Sequence, residues 1–350
     1  MTGARPNFIK VAPLIQAIEN ANKAGKDVEY TLVYAGSDND KTLEGSLFED
    51  LQISRPGVYF GVDSHDTIEI TSKVMAKMEE YLTNTSCDVI VVVDDLASTM
   101  ATAIVAKKRG IILAHLAAGT RSFDINMPKE INRLVIDGLS DYLFTAGSGI
   151  GTTANPSKIY DVGNILIDTL RTNLPRFKRF QLLEDKGIAD SEYIVLTINR
   201  KSLIASGEKL DALVKTIEHK SAGVPIIAPL RKDAQEKIAN IHSENINFVE
   251  PLSYLEFGYL TSHAKVIITD SGNIAEEATF NGIPCITLND YTEHIETVKQ
   301  GTNILVNEDP TLLAEALESI LKGDIKPASI PERWDGRTAE RMLQILCELK

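Results

Sequence analysis

Cysteine is scarce in this chain. Cys87, Cys285 and Cys347 are the three, far apart, and two of them lie in apolar runs. That excludes a disulfide scaffold and points to buried, reduced thiols. The six histidines are scattered, and no set of His, Cys and carboxylates has metal-ligand spacing. No apolar run approaches the roughly 18 residues of a membrane span. The amino end does not read as a signal peptide. A cytoplasmic protein with no membrane partner is expected. Positive charge is also short: 36 Lys and Arg face 49 Asp and Glu, a net charge of −13. A general nucleic-acid partner is thereby excluded, because phosphate backbones need a basic face. A small anionic ligand held by local Arg and Lys stays open. Short-period repeats and low-complexity tracts are absent.

What is present is strand–helix alternation. Strands are expected at 29–34, 88–93, 111–115, 142–145, 193–196, 224–227, 247–249, 265–269, 284–288 and 303–306. Most are β-branched and almost continuously apolar, as parallel strands buried on both faces are. Amphipathic helix-length segments fall between them, at 65–82, 98–109, 129–139, 208–219 and 310–321. This is α/β architecture with parallel sheets. Two sheets fit better than one of ten or more strands. At 350 residues the chain accommodates two ordinary domains.

The boundary is expected in the basic, turn-like stretch around 171–189. The reading is therefore two Rossmann-like domains with a cleft between them. Residues 1–170 form the first and 190–350 the second, with the last helix packing back on the first. A doubly wound domain usually opens on a central strand, yet none precedes Gly3. The first strand is thus expected to be missing, or the sheet to lack it.

The most informative stretch is Val266-Ile-Ile-Thr-Asp-Ser-Gly-Asn-Ile-Ala-Glu-Glu277. It reads as a buried strand, a turn at Asp270-Ser271-Gly272, and a helix start. Such a junction aims backbone N–H groups and the positive end of a helix dipole at one spot, which suits a phosphate. Glu277, further along the helix, is placed to accept hydrogen bonds from ribose hydroxyls. The plainer alternative is an ordinary βα turn with Ser271 as helix N-cap.

Taken in order, the motifs resemble the non-hydrolysing UDP-N-acetylglucosamine 2-epimerases over nearly the whole chain. They are Gly3-Ala-Arg-Pro-Asn-Phe-Ile-Lys10, Phe48-Glu-Asp-Leu51 with Pro56, His115-Leu-Ala-Ala-Gly-Thr-Arg-Ser-Phe-Asp124 and Pro128-Lys-Glu-Ile-Asn-Arg133. Val162-Gly-Asn164 with Asp168, Thr269-Asp-Ser-Gly272 with Glu276-Glu277, Gly301-Thr-Asn303 and Ile330-Pro-Glu-Arg-Trp-Asp-Gly336 follow. The resemblance implies a glycosyltransferase-B-like fold, a homodimer, and no redox cofactor. It implies interconversion of UDP-N-acetylglucosamine and UDP-N-acetylmannosamine, by elimination of UDP to a 2-acetamidoglucal and re-addition after C2 is reprotonated on the other face.

Arg5 and Lys10, one helix turn or so apart, suit the diphosphate, with solvated surface charge as the plainer alternative. Arg200 and Arg231 add positive charge, and Ser271, Gly272 and Glu277 fit the nucleotide. Phe257 matches a position near the uracil, or else is a core residue of its helix. Asp95 matches the catalytic Asp, here preceded by Asp94. Glu130 and Arg133 remain on one helix face, where they can also simply pair.

Three proton-transfer positions depart from the pattern. A Glu is replaced by Ala117, a second Glu by Lys129, and a His by Asn199. An Arg in a later segment is replaced by His294. Lys129, Asp38, His115 and Asp94 are the candidate substitutes for the lost groups. The sequence thus supports a UDP-N-acetylglucosamine 2-epimerase-like protein. The alternatives are a nucleotide-sugar-binding pseudoenzyme and an enzyme acting on a different nucleotide sugar.

Overall fold

Parallel β-strands and intervening helices build two α/β units. The computed structural model describes residues 1–43, 45–147, 159–238 and 245–348. One unit comprises Met1–Thr172 and Glu332–Lys350, the other Asn173–Pro331.

In the first unit β1 (Val33–Tyr34) pairs with β2 (Val58–Tyr59), and β3 (Val89–Val93), β4 (Ile112–Leu116), β5 (Tyr142–Thr145) and β6 (Ile159–Asp161) form a second parallel sheet. Between these sheets lies a two-residue remnant of a central strand. Thr2 bridges Tyr34 of β1 in parallel, and the Met1 amino group donates to the Val91 carbonyl of β3 at 2.7 Å. Among the described residues no strand precedes α1, and only this bridge and hydrogen bond occupy the place of a first strand. With them, the order from β2 through β1 to β3 reverses direction at Thr2 and β3, the topological switch of a doubly wound sheet.

The helices of this unit are α1 (Arg5–Lys23), α2 (Leu47–Leu51), α3 (Thr67–Asn84), α4 (Ala97–Lys108), α5 (Pro128–Leu139) and α6 (Ile165–Asn173). Asp66 caps α3 by accepting from Ile68 and Glu69 N–H at 2.8 Å each. The strand expected at 29–34 shrinks to β1. Glu29, Tyr30 and Thr31 are exposed, and although Leu32 is buried and its carbonyl accepts from Gly57, only Val33 and Tyr34 pair in register with β2. Both β2 and β6 are half-buried and show no apolar run to betray them.

The second unit carries β7 (Ile194–Thr197), β8 (Ile226–Pro229), β9 (Ile246–Val249), β10 (Val266–Thr269), β11 (Cys285–Thr287) and β12 (Asn303–Leu305). Its all-parallel sheet has the order β12-β11-β10-β7-β8-β9. That is the doubly wound order, with its switch point between β7 and β10. Every residue of β7 and β10 is buried, which explains their unbroken apolar reading.

Its helices are α7 (Gln181–Asp185), α8 (Lys201–Ala205), α9 (Gly207–Lys220), α10 (Lys232–Ile238), α11 (Tyr254–Ser262), α12 (Gly272–Asn281), α13 (Ile295–Lys299) and α14 (Pro310–Leu321). On α9 the buried residues are Leu210, Leu213, Val214 and Ile217, one stripe at helical period. Of the stretch expected as a linker, residues 173–189 belong to this unit and contain α7. There Arg179 reaches Asp190 at 2.5 Å and the Tyr259 hydroxyl at 2.9 Å.

The last helix, α15 (Thr338–Cys347), belongs to the first unit and lies against α1. The buried Asp168 carboxylate accepts from the Ala339 N–H at 2.7 Å, at the positive end of α15. Arg341 donates to the Val162 carbonyl at 2.9 Å. Gly163 has a φ of +98°, and a Cβ there would collide with the Arg333 carbonyl. The Val162-Gly163-Asn164 motif and the Arg333-Trp334 segment are thus two sides of one close contact.

Candidate active site

In the second unit the strand–turn–helix junction sits at the switch point. Asp270 follows β10, and its Oδ2 accepts from the backbone N–H groups of Asn199 and Arg200 at 2.7 Å each. One side chain therefore ties together the chain ends leaving β7 and β10. Burial pushes the Asp270 carboxyl up, against the pull of those two N–H groups. Ser271 is the N-cap residue of α12 by position, but its side chain makes no cap hydrogen bond. The plain N-cap alternative is therefore met in place and not in function.

Gly272 is required to be small: a Cβ there would lie 2.8 Å from Cδ2 of His294. Arg200 donates to Asn289 Oδ1 at 2.8 Å and approaches Glu308 at 3.5 Å. Asn289 in turn donates to the Asp270 carbonyl at 3.2 Å. Arg231 is exposed, with Nη2 3.5 Å from the Asn199 carbonyl. Glu277 is buried on α12. Phe257 is partly buried and packs against a core that includes Tyr193, Ile267 and Ala275.

In the first unit the polar cluster follows β3 at the other switch point. Asp94 has a φ of 56°, a left-handed conformation that a short polar side chain tolerates best. Its carboxylate accepts from Lys10 Nζ at 2.6 Å and from Asn7 Nδ2 at 2.7 Å. Asn7 Oδ1 accepts from the Gly3 N–H at 2.8 Å, so the opening loop is tied to the loop after β3. Lys10 is buried and ion-paired, not the solvated cation of the plainer alternative.

Asp95, the next residue, is gripped by α5. Arg133 reaches its Oδ2 from Nε at 2.8 Å and from Nη2 at 2.6 Å, and Lys129 Nζ lies 3.5 Å from Oδ1. Burial raises the Asp95 carboxyl, but Lys129, Arg133 and Lys10 together hold it below the usual carboxylate range. Asp95 is an anion at neutral pH.

Glu130 is buried, and its Oε2 accepts from the Ser122 N–H and Oγ, both at 2.8 Å. Arg133 Nη1 lies 3.4 Å from the same oxygen, so the pairing of Glu130 with Arg133 is present.

Behind them, Asp137 accepts from His115 Nδ1 and from Arg121 Nη2, both at 2.6 Å. Burial raises Asp137, but the hydrogen bond and charge of His115, and then Arg121, hold it low. His115 Nε2 donates to the Asp94 carbonyl at 3.0 Å. Both ring nitrogens of His115 therefore face acceptors within the fold. As a substitute base His115 fails, because the positions it would use are taken. Asp94 is likewise spoken for by Lys10 and Asn7. Asp38 lies in an exposed loop, receiving the Ser37 hydroxyl at 3.3 Å.

A family model described as UDP-N-acetylglucosamine 2-epimerase matches residues 20–347. A UDP-N-acetylglucosamine 2-epimerase homolog of Methanococcus maripaludis is 32% identical over 365 residues, 100% of this chain and 99% of its own. The chain belongs to the UDP-N-acetylglucosamine 2-epimerase family. A crystal structure of the Methanocaldococcus jannaschii UDP-GlcNAc 2-epimerase, in complex with UDP-GlcNAc and UDP, is 31% identical with a TM-score of 0.85. It is matched over 99% of this chain and 98% of that chain. The glycotransferase of kitacinnamycin shares the fold alone, at 11% identity and a TM-score of 0.59, over 100% of this chain and 98% of its own. The fold is α/β, with two Rossmann-like units of the glycosyltransferase-B-like kind.

Within this epimerase family member, the substituted positions have defined surroundings. Ala117 has a φ of 61° at the turn after β4. Lys129 neighbours Asp95. Asn199 offers its backbone N–H to Asp270. Sequence reasoning missed Asn7, Arg121, Asp137 and Asn289, which meet Asp94, Asp137, Arg121 and Arg200 across 87, 16, 16 and 89 residues. It named Glu276 and His294 separately and did not single out Glu296, and the second unit brings the three together. No helix among the described residues is long and apolar enough to cross a membrane.

Proposed function

We propose that this chain binds UDP-N-acetylhexosamines and interconverts UDP-N-acetylglucosamine and UDP-N-acetylmannosamine by elimination and re-addition of UDP. The nucleotide lies at the Asp270-Ser271-Gly272 turn, where the dipole of α12 and the N–H groups of its first turn meet the diphosphate. Arg5, Lys10, Arg200 and Arg231 supply positive charge, Glu277 binds the ribose, and Phe257 borders the base. Neutralising the diphosphate stabilises the departing UDP.

One observation carries the catalytic part. Asp95 is a single ionised carboxylate at the carboxyl end of β3, oriented by two nitrogens of Arg133 and flanked by Lys129. In this reading Asp95 moves the C2 proton on one face of the sugar. Lys129 is the ionisable neighbour left for the other face. Glu130 orders the loop at Ser122, and Arg133 positions Asp95. The chain works as a homodimer in the cytoplasm without a redox cofactor.

A second reading is favoured by Ala117 and Asn199, neither of which carries a proton to transfer at neutral pH. It keeps UDP-sugar binding and loses turnover. Incubation with UDP-N-acetylglucosamine in D2O separates the two. Deuterium at C2 supports epimerisation, and tight UDP binding without exchange supports the second reading.

A further inference from the structure

We propose that Glu276, His294 and Glu296 form a binding site for a divalent cation of the Zn2+, Co2+ or Mn2+ class. Glu276 comes from α12, His294 from the turn before α13, and Glu296 from α13 itself. One ligand atom from each lies within 4.8 Å of the other two. His294 Nδ1 is already 3.0 Å from Glu276 Oε1.

A tetrahedral zinc shell with bonds of about 2.0–2.2 Å has edges of roughly 3.4 Å, so a small side-chain movement closes the set. One imidazole with two carboxylates is a donor set for borderline cations, whereas Ca2+ and Mg2+ take oxygen alone. Three protein ligands leave a position for water or another oxygen donor.

The surroundings fix the ligands. The His294 ring is lodged against Gly272, where a Cβ would sit 3.1 Å from Nε2. The His294 carbonyl accepts from the Thr297 N–H at 3.0 Å and the Thr297 hydroxyl at 2.7 Å, which sets the turn. Glu276 is 3% exposed, so its charge is poorly screened by water. The position also explains a departure in the sequence. Where the family resemblance expects an arginine, which cannot ligate a metal, this chain has His294. The site borders Gly272, and its test needs no UDP.

The test uses the full chain, freed of metal by a chelator and titrated with Zn2+ alone or Co2+ alone. Calorimetry reads affinity, Co2+ absorption reads the ligand set, and thermal unfolding reads stabilisation by Zn2+. The expected result is one equivalent bound by the wild type, with a raised Tm and d–d bands of low coordination number. His294→Ala and Glu296→Gln are each expected to weaken that binding at least tenfold. Glu296→Gln keeps side-chain shape on a half-buried position and decides the matter if His294→Ala fails to fold. Absence of binding, or affinity and Tm rise equal in wild type and Glu296→Gln, overturns the proposal.

Discussion

Arg133 holds the carboxylate of Asp95 through two nitrogens, Nε at 2.8 Å and Nη2 at 2.6 Å, and so fixes both its charge and its direction. Lys129 lies on the other oxygen at 3.5 Å. Asp95→Asn is expected to lower turnover by roughly 10²- to 10⁴-fold while leaving UDP affinity within about twofold. Lys129→Gln removes the group assigned to the other face, so turnover is expected to fall by roughly 10²- to 10⁴-fold, and it also acts through charge on the residual rate. Lys129 helps keep the Asp95 carboxyl below its usual range, so removing it moves that pKa upward. The acid limb of the pH–rate profile is then expected to shift to higher pH, because the base must be ionised. A pH profile of the deuterium-exchange rate checks both variants.

Arg121 supports a buried anion rather than the reacting one. Its Nη2 contacts Asp137 at 2.6 Å, with both side chains almost fully buried. Arg121→Ala leaves the Asp137 charge with His115 and the Gly119 N–H at 3.3 Å and is expected to cost about 3–5 kcal/mol of stability. Denaturant unfolding measures it. A loss under about 1 kcal/mol contradicts the role assigned to Arg121.

Asp168 sets a stability slope in mild acid. Burial pushes its carboxyl from 3.8 up to about 6, against the N–H groups of Ala339 and Thr338. A carboxyl raised in the folded state favours folding when protonated. Its contribution is complete below about pH 4 and is lost as pH rises through about 6. Asp168→Asn is expected to flatten stability between those limits and to be the more stable form at pH 7, by on the order of 2 kcal/mol. Unfolding of the wild type and the variant at pH 4, 5, 6 and 7 reads the slope.

The three substituted positions make a joint test. Ala117→Glu, Lys129→Glu and Asn199→His together are expected to raise the epimerisation rate at least tenfold, because groups that act as a unit recover together. No gain would place the limitation elsewhere, in the opening loop or the 171–189 segment.

How much was legible varies with the kind of feature. The strands β7 and β10 could be read directly, because burial on both faces forces an unbroken apolar run. The strand–turn–helix junction at Asp270-Ser271-Gly272 was legible for the same reason, since it follows such a strand. The strand expected at 29–34 was overdrawn, because β-propensity in exposed residues carries no pairing information. The polar contacts were the least legible. Nothing near Lys10 in sequence announces Asp94, 84 residues away. Arg121, Asp137 and His115 likewise meet only through the packing of α5 against β4. The role proposed for Asp95 comes from the motif. Its grip by Arg133 and Lys129 required the geometry.

The most direct measurement is proton exchange at C2. The chain is incubated with UDP-N-acetylglucosamine in D2O and the sugar is followed by NMR. The account expects deuterium at C2, with UDP-N-acetylmannosamine appearing and exchange lost in Asp95→Asn. A wild-type chain that binds UDP yet exchanges no C2 proton and forms no UDP-N-acetylmannosamine contradicts it.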